Sequence, residues 1–180
     1  ALEKKNRKLT QSYLAKTLKI SLSTVILALK SLVRMNAIKI GRMGFIVIDT
    51  KKILYYWASI RNLEKDIIYK TRVDEPLKEI ESLMSNDIVF TGYSGYKLKF
   101  EDVPADYSEV YVYGTEDIKK RFKENNKNPN LFVLKKDSMI ENYGKIATMA
   151  NLFVDLWNLK EWYAKDFLKA LEAKIDRLLE

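Results

Sequence analysis

Between Leu9 and Ile38 the apolar residues follow two helical registers separated by a turn of only two or three residues, and this constrains the chain more than any other stretch. Thr10 predicts the N-cap of a first helix, whose apolar positions are Tyr13, Leu14, Ala15 and Leu18. Lys19 and Ile20 make the turn, and Ser21 restarts a helix. In that second helix Val25, Ala28, Leu29, Leu32 and Val33 repeat at three and four residues, which predicts one buried stripe. From Ile38 to Ile48 a glycine-containing turn then separates two β-branched runs, the pattern of a β-hairpin.

Helix, turn, helix and hairpin is the order in which winged helix-turn-helix domains enter a major groove. The charge supports the same reading. Residues 1–61 hold 13 Lys and Arg against Glu3 and Asp49, a net of +11, whereas residues 62–180 carry a net of −3. A basic end that coincides with a helix-turn-helix is an electrostatic footprint for phosphate, so double-stranded DNA is the expected partner. The alternative is a winged helix that serves only as a protein–protein module.

Recognition helices use the exposed side chains of their first turns on base edges. Here these are Leu22, Ser23, Thr24, Ile26 and Leu27, behind Ser21. Ser23 and Thr24 can hydrogen-bond bases or phosphates. Leu22 and Leu27 stand where Arg, Asn or Gln would give bidentate readout, and they can contact only thymine methyls, so base discrimination should be modest. The phosphate-facing candidates are Thr10, Ser12, Lys16, Lys19 and Lys30, with Lys39 and Arg42 on the wing.

The remaining 62–180 read as an α+β domain of ordinary size. Asp49 or Thr50 caps a linker helix through Ile60, with Ile53, Leu54, Trp57 and Ile60 on its buried face, and this helix is expected to pack between the two parts. Ile67 to Tyr69 suggests a strand, and Pro76 opens a short helix from Leu77 to Met84. Strands are expected at Asp87–Thr91, at Tyr96–Phe100 after the break Gly92–Gly95, at Glu109–Tyr113 and at Leu131–Leu134. Thr115 predicts the cap of a helix over Glu116–Glu124. The C-terminus reads as two helices, one from Ile146 to Trp157 and one from Glu161 to Leu179. The second has Trp162, Phe167, Leu168, Leu171, Ile175 and Leu178 as its stripe and a Glu161/Lys165 pair at i,i+4 spacing.

Absences narrow the chemistry. With no Cys and no His among 180 residues there is no disulfide framework, no thiolate or imidazole metal site and no Ser-His-Asp triad. No cofactor or metal is expected, and the chain reads as non-enzymatic. No apolar run approaches the roughly 20 residues of a membrane span and no signal peptide is evident, so a cytoplasmic location is expected. Gln11 is the single Gln, and 25 Lys stand against 7 Arg, a bias that suggests a thermophile or an AT-rich genome alone; a melting midpoint below about 60 °C would argue against the thermophile. Ala1 is not an initiator Met. Only Ala1–Lys5 could belong to the helix that usually precedes such a domain, so the chain begins inside that helix or residues upstream are missing.

Four short motifs follow the winged helix in a fixed order: Phe90-Thr-Gly-Tyr-Ser94, Val110-Tyr-Val-Tyr113, Asn130-Leu-Phe-Val133 and Asn151-Leu-Phe-Val-Asp155-Leu-Trp157-Asn-Leu. This arrangement resembles the AbiEi-type antitoxins and related archaeal transcriptional regulators. The resemblance spans most of the chain and implies a repressor of its own operon that neutralises a nucleotidyltransferase-like toxin, not necessarily in a stable complex. The arginine- and glycine-containing turn usual after the tryptophan helix is replaced here by Lys160-Glu-Trp-Tyr163.

Other constellations read as structural. The tyrosines and Trp57, Trp157 and Trp162 lie mainly on amphipathic stripes, so core packing is preferred to base stacking. Gly92-Tyr-Ser-Gly95 lacks the Lys of a phosphate loop, and Tyr113-Gly-Thr-Glu-Asp117 lacks the spaced carboxylates of a nucleotidyltransferase. Asp155 reads as a structural acceptor. The expected function is therefore a sequence-specific DNA-binding transcriptional regulator, an autorepressor and antitoxin that acts as a homodimer or as cooperating monomers. A ligand-responsive regulator whose second domain holds a small molecule, and a metal-dependent nuclease or nucleotidyltransferase, are the alternatives.

Overall fold

The computed structural model describes residues 2, 6–125, 127–137 and 139–179, and these form two compact units, Ala1–Ser59 and Ile60–Glu180. Both mix helices and sheet, so the fold is α+β. No single helix among the described residues is long and apolar enough to cross a membrane. The helix expected around Ala1–Lys5 falls, apart from Leu2, outside the described residues.

In the first unit, helix α1 (Gln11–Leu18) is followed by α2 (Leu22–Arg34) and by the hairpin of β2 (Ile38–Gly41) and β3 (Gly44–Val47). A two-residue strand, β1 (Lys8–Leu9), pairs antiparallel with β3 and completes a sheet of order β1-β3-β2. Val25 and Leu29 of α2 pack with Ile38, Phe45 and Val47, and Leu14, Ala15 and Leu32 close the cluster. The expected stripes are narrower than the spacing suggests. Tyr13 and Leu18 of α1, and Ala28 and Val33 of α2, are exposed, because each helix meets the small core along one edge only. Helix α3 (Thr50–Ile60) is capped by Asp49, whose carboxylate accepts from the Lys52 amide at 3.0 Å; Leu54 and Ala58 are buried, and Ile60 is exposed rather than buried.

The second unit is built on a four-stranded sheet of order β4-β7-β6-β5: β4 (Ile67–Thr71), β7 (Leu131–Lys135), β6 (Val110–Gly114) and β5 (Val89–Thr91). β6 and β7 run parallel and the outer pairings are antiparallel. Every residue of β6 is buried, and the alternation Val-Tyr-Val-Tyr divides between two faces. Val110 and Val112 pack with Ile118, Val133 and Ile80, the last from α4 (Leu77–Ser82). Tyr111 and Tyr113 point their hydroxyls to Glu161 and to Asp155 of α6 (Met149–Asn158). Asn130 holds the end of β4, since its side-chain amide accepts from the Val73 amide at 2.8 Å and donates to the Val73 carbonyl at 2.9 Å.

Three expectations are corrected. Tyr96–Phe100 is not a strand: Gly92, at φ +56°, turns the chain straight from β5 into helix α5 (Gly92–Phe100), which buries Tyr93 and Tyr96. Thr115 makes no side-chain cap, and Glu116–Lys120 is a short 3-10 segment rather than a helix to Glu124. In the C-terminal helix α7 (Ala164–Leu179) Phe167, Leu171 and Ile175 are spent on the unit's own core, whereas Trp162 is 77% exposed. Glu161 also precedes this helix, and its carboxylate accepts from Tyr93 and Tyr111 at 2.9 and 3.0 Å.

Candidate nucleic-acid interface

The corner between α1 and α2 is set by hydrogen bonds at both sides. Thr10 Oγ accepts from the Tyr13 amide at 3.0 Å and so starts α1. Lys19 sits in the left-handed region at φ 54°, where the Ile20 amide reaches back to the Ala15 carbonyl at 3.1 Å and closes the helix in a Schellman arrangement. Ser21 Oγ then accepts from the Thr24 amide at 3.1 Å and starts α2. The far end of α2 repeats the device at Asn36, φ 56°, with Ala37 donating to the Leu32 carbonyl at 2.9 Å. The hairpin returns through Arg42 and Met43. At Gly44 (φ +135°) an added Cβ would lie 2.3 Å from the Leu9 carbonyl oxygen, so only glycine lets β1 approach β3 here.

All twelve residues expected to contact DNA are exposed, and all belong to the first unit: Thr10, Ser12, Lys16 and Lys19 along α1 and its ends, Ser21, Leu22, Ser23, Thr24, Leu27 and Lys30 on α2, Lys39 and Arg42 on the hairpin. Asp49 is the one acidic residue described in this unit, and it lies 3.9 Å from Lys52. The described Lys and Arg side chains of the unit are exposed, apart from the half-buried Lys51.

The hydroxyls of α2 are less free than the spacing suggests. Ser21 Oγ lies 2.8 Å from Ser23 Oγ and 2.7 Å from Thr24 Oγ1, so all three are engaged with one another in the capping turn. What projects outward from the first turns of α2 is apolar: Leu22, Ile26 and Leu27 are 47%, 46% and 61% exposed. A further cation escaped the sequence reading. Lys8 and Lys39 both stand opposite Ile46 in register, so β1 adds Lys8 to a Lys-Ile-Lys row across the sheet. Two residues are too few to show the alternation that marks a strand.

The second unit places its polar groups inward. Asp155 is buried; its Oδ2 accepts from Thr91 Oγ1 and from the Tyr113 hydroxyl, both at 2.6 Å. Arg61 approaches its Oδ1 at 3.9 Å and also meets Asp66 at 3.1 Å. Burial pushes the Asp155 carboxyl up to about 6, against the lowering effect of those hydrogen bonds and of Arg61. Burial and the neighbouring carboxylates push the Tyr93, Tyr111 and Tyr113 phenols far up, so these remain neutral donors. This network ties β5, β6 and α6 together, and two of the grooves on the second unit are lined largely by charged side chains. These, of about 540 and 680 Å³, expose Asp87, Asp117, Lys120 and Arg121 in one, and Glu64, Lys70, Lys119 and Glu124 in the other. An apolar groove of about 730 Å³ lies instead on the first unit, between Tyr13, β1 and the hairpin. Among the described residues no group of three or more carboxylates could hold a metal ion. The chain matches no family model, no curated protein and no solved structure.

Proposed function

We infer that the chain is a sequence-specific, double-stranded-DNA-binding transcriptional regulator, with residues 1–61 as a winged helix-turn-helix and α2 as its recognition helix. The observation that carries this is the coincidence of the net charge of +11 on residues 1–61 with two helices joined by a capped corner and followed by a hairpin. Lys16, Lys19, Lys30, Lys39 and Arg42 neutralise phosphates, and α2 lies in the major groove. Two copies on inverted half-sites supply the specificity that one modest recognition helix lacks. The motifs at Phe90–Ser94, Val110–Tyr113, Asn130–Val133 and Asn151–Leu159 support the finer reading, an autorepressor and antitoxin to a nucleotidyltransferase-like toxin. The second unit is then the antitoxin part, and its charge of −3 leaves DNA to the first.

The test is titration of the full chain onto its own promoter duplex at increasing salt. The expected log-log slope is about −3 to −6, for roughly 4–7 phosphates contacted. Changing Lys39 and Arg42 together to Ala should make the slope shallower by about 2 and weaken all duplexes alike, because phosphate contacts carry little sequence information. A flat salt dependence, or no binding at low salt, would remove the DNA reading.

A further inference from the structure

We propose that the α2 surface recognises A·T-rich duplex DNA by packing on thymine methyl groups. The inference rests on the DNA-binding reading above and names the sequence class that this surface fits. Three observations lead to it.

The first is geometric. Val25, Leu29 and Leu32 turn one edge of α2 to the core, so the opposite edge is centred on Ser23 and Leu27, with Ile26 on its flank and Leu22 exposed in the first turn nearer the core edge. The second concerns hydrogen bonding. Ser23 and Thr24 are turned back on Ser21, so the outward edge offers Leu22, Ile26 and Leu27 before any donor fork. The third is charge. Lys30 stands one turn beyond Ile26 on the same helix, and Lys16, Lys19, Lys39 and Arg42 are exposed on the neighbouring elements of the same unit. An apolar strip flanked by cations is complementary to a polyanion that carries apolar groups in a groove, and less so to a second copy of this basic unit, whose charge would repel it.

Base-edge chemistry then selects the sequence. In the major groove the C5-methyl of thymine is the only apolar group that any of the four bases presents. Leucine against guanine would cover the N7 and O6 acceptors without supplying a donor, which costs free energy. Leucine against thymine buries a methyl group on each side.

The experiment compares the full chain on one short A·T-rich duplex made with thymine and again with uracil, which lacks only the methyl group. Thymine should bind more tightly by about fourfold for each methyl buried, with the same salt slope on both probes. L27A should lower the thymine-over-uracil ratio by about fourfold, the contribution of one methyl contact; Leu27 is exposed, so the fold tolerates the truncation. Placing 5-methylcytosine in a G·C-rich duplex should recover part of the gain, because its methyl occupies the same position in the groove. Equal affinity for thymine and uracil overturns the inference while the DNA-binding reading stands. A dimer in DNA-free solution that L27A dissociates also overturns it, since a second copy then covers the strip. Absence of binding to any duplex at low salt overturns the DNA-binding reading itself.

Discussion

In the first unit twelve large apolar side chains are exposed, among them Leu22, Leu27 and Met43, and no described polar side chain is buried. In the second unit, about twice as long, seven large apolar side chains are exposed, while Thr71, Thr91, Ser94, Asn130, Thr148 and Asp155 are buried. The first unit thus turns hydrophobic groups and nearly all its described cations toward solvent, as the proposed binding to an anionic duplex requires. A unit that encloses hydroxyls and a carboxylate uses them to fix its own strands and helices. Under the proposed DNA-binding reading, recognition falls to the short, weakly cored unit, while the polar core of the longer one is architectural.

The largest expected effect lies in that polar core. Asp155→Ala leaves the buried Thr91 and Tyr113 hydroxyls without their acceptor, and should lower unfolding stability by roughly 2–4 kcal/mol in a urea titration. DNA affinity of the molecules still folded should be unchanged. An equal loss of affinity would break the division of roles.

Next in size is a pH effect. A carboxyl whose folded pKa, here about 6, exceeds its unfolded value stabilises the fold when protonated. That contribution is complete below about pH 4 and is lost as pH rises through 6. D155N does not titrate. Between pH 4 and pH 7 the wild type should therefore lose on the order of 2–3 kcal/mol relative to D155N. A difference that stays flat with pH would show that the site is wetter than its geometry indicates.

The smallest effect sharpens the comparison in the first unit. Lys19 holds a left-handed conformation that glycine adopts without a Cβ penalty. K19G should raise stability by about 0.5–1 kcal/mol and make the salt slope of DNA binding shallower by about 1. A more stable protein that binds less tightly would identify Lys19 as a residue kept for its charge. Unchanged binding would remove it from the interface.

Much of this was legible locally. The caps at Thr10 and Ser21 depend on a hydroxyl and an amide three residues apart, which is a property of the sequence itself. The same holds for the hairpin, for the two-faced Val-Tyr-Val-Tyr strand and for the charge contrast. Tyr96–Phe100 misled because a five-residue alternation of apolar residues and lysines does not exclude a helix. The deciding factor was Gly92, whose positive φ turns the chain out of β5 and whose missing Cβ lets it lie against Tyr111. Trp162 misled for a different reason: α7 begins only at Ala164, so the tryptophan precedes the face on which it was counted.

What the sequence determined by itself was the pair of helices and the hairpin of the first unit, the caps at Thr10 and Ser21 and the sign of charge on each part, because these depend on neighbours within a few residues. The tertiary structure decided which faces of α1 and α2 stay open, since burial depends on how little core the hairpin offers them. It also decided that Ser23 and Thr24 turn back to Ser21 while Leu27 faces out, and that Lys8 joins Lys39 across Ile46. Asp155, Thr91, Tyr113 and Arg61 lie far apart along the chain, and only packing β5, β6 and α6 together makes their carboxylate, hydroxyls and guanidinium a single network.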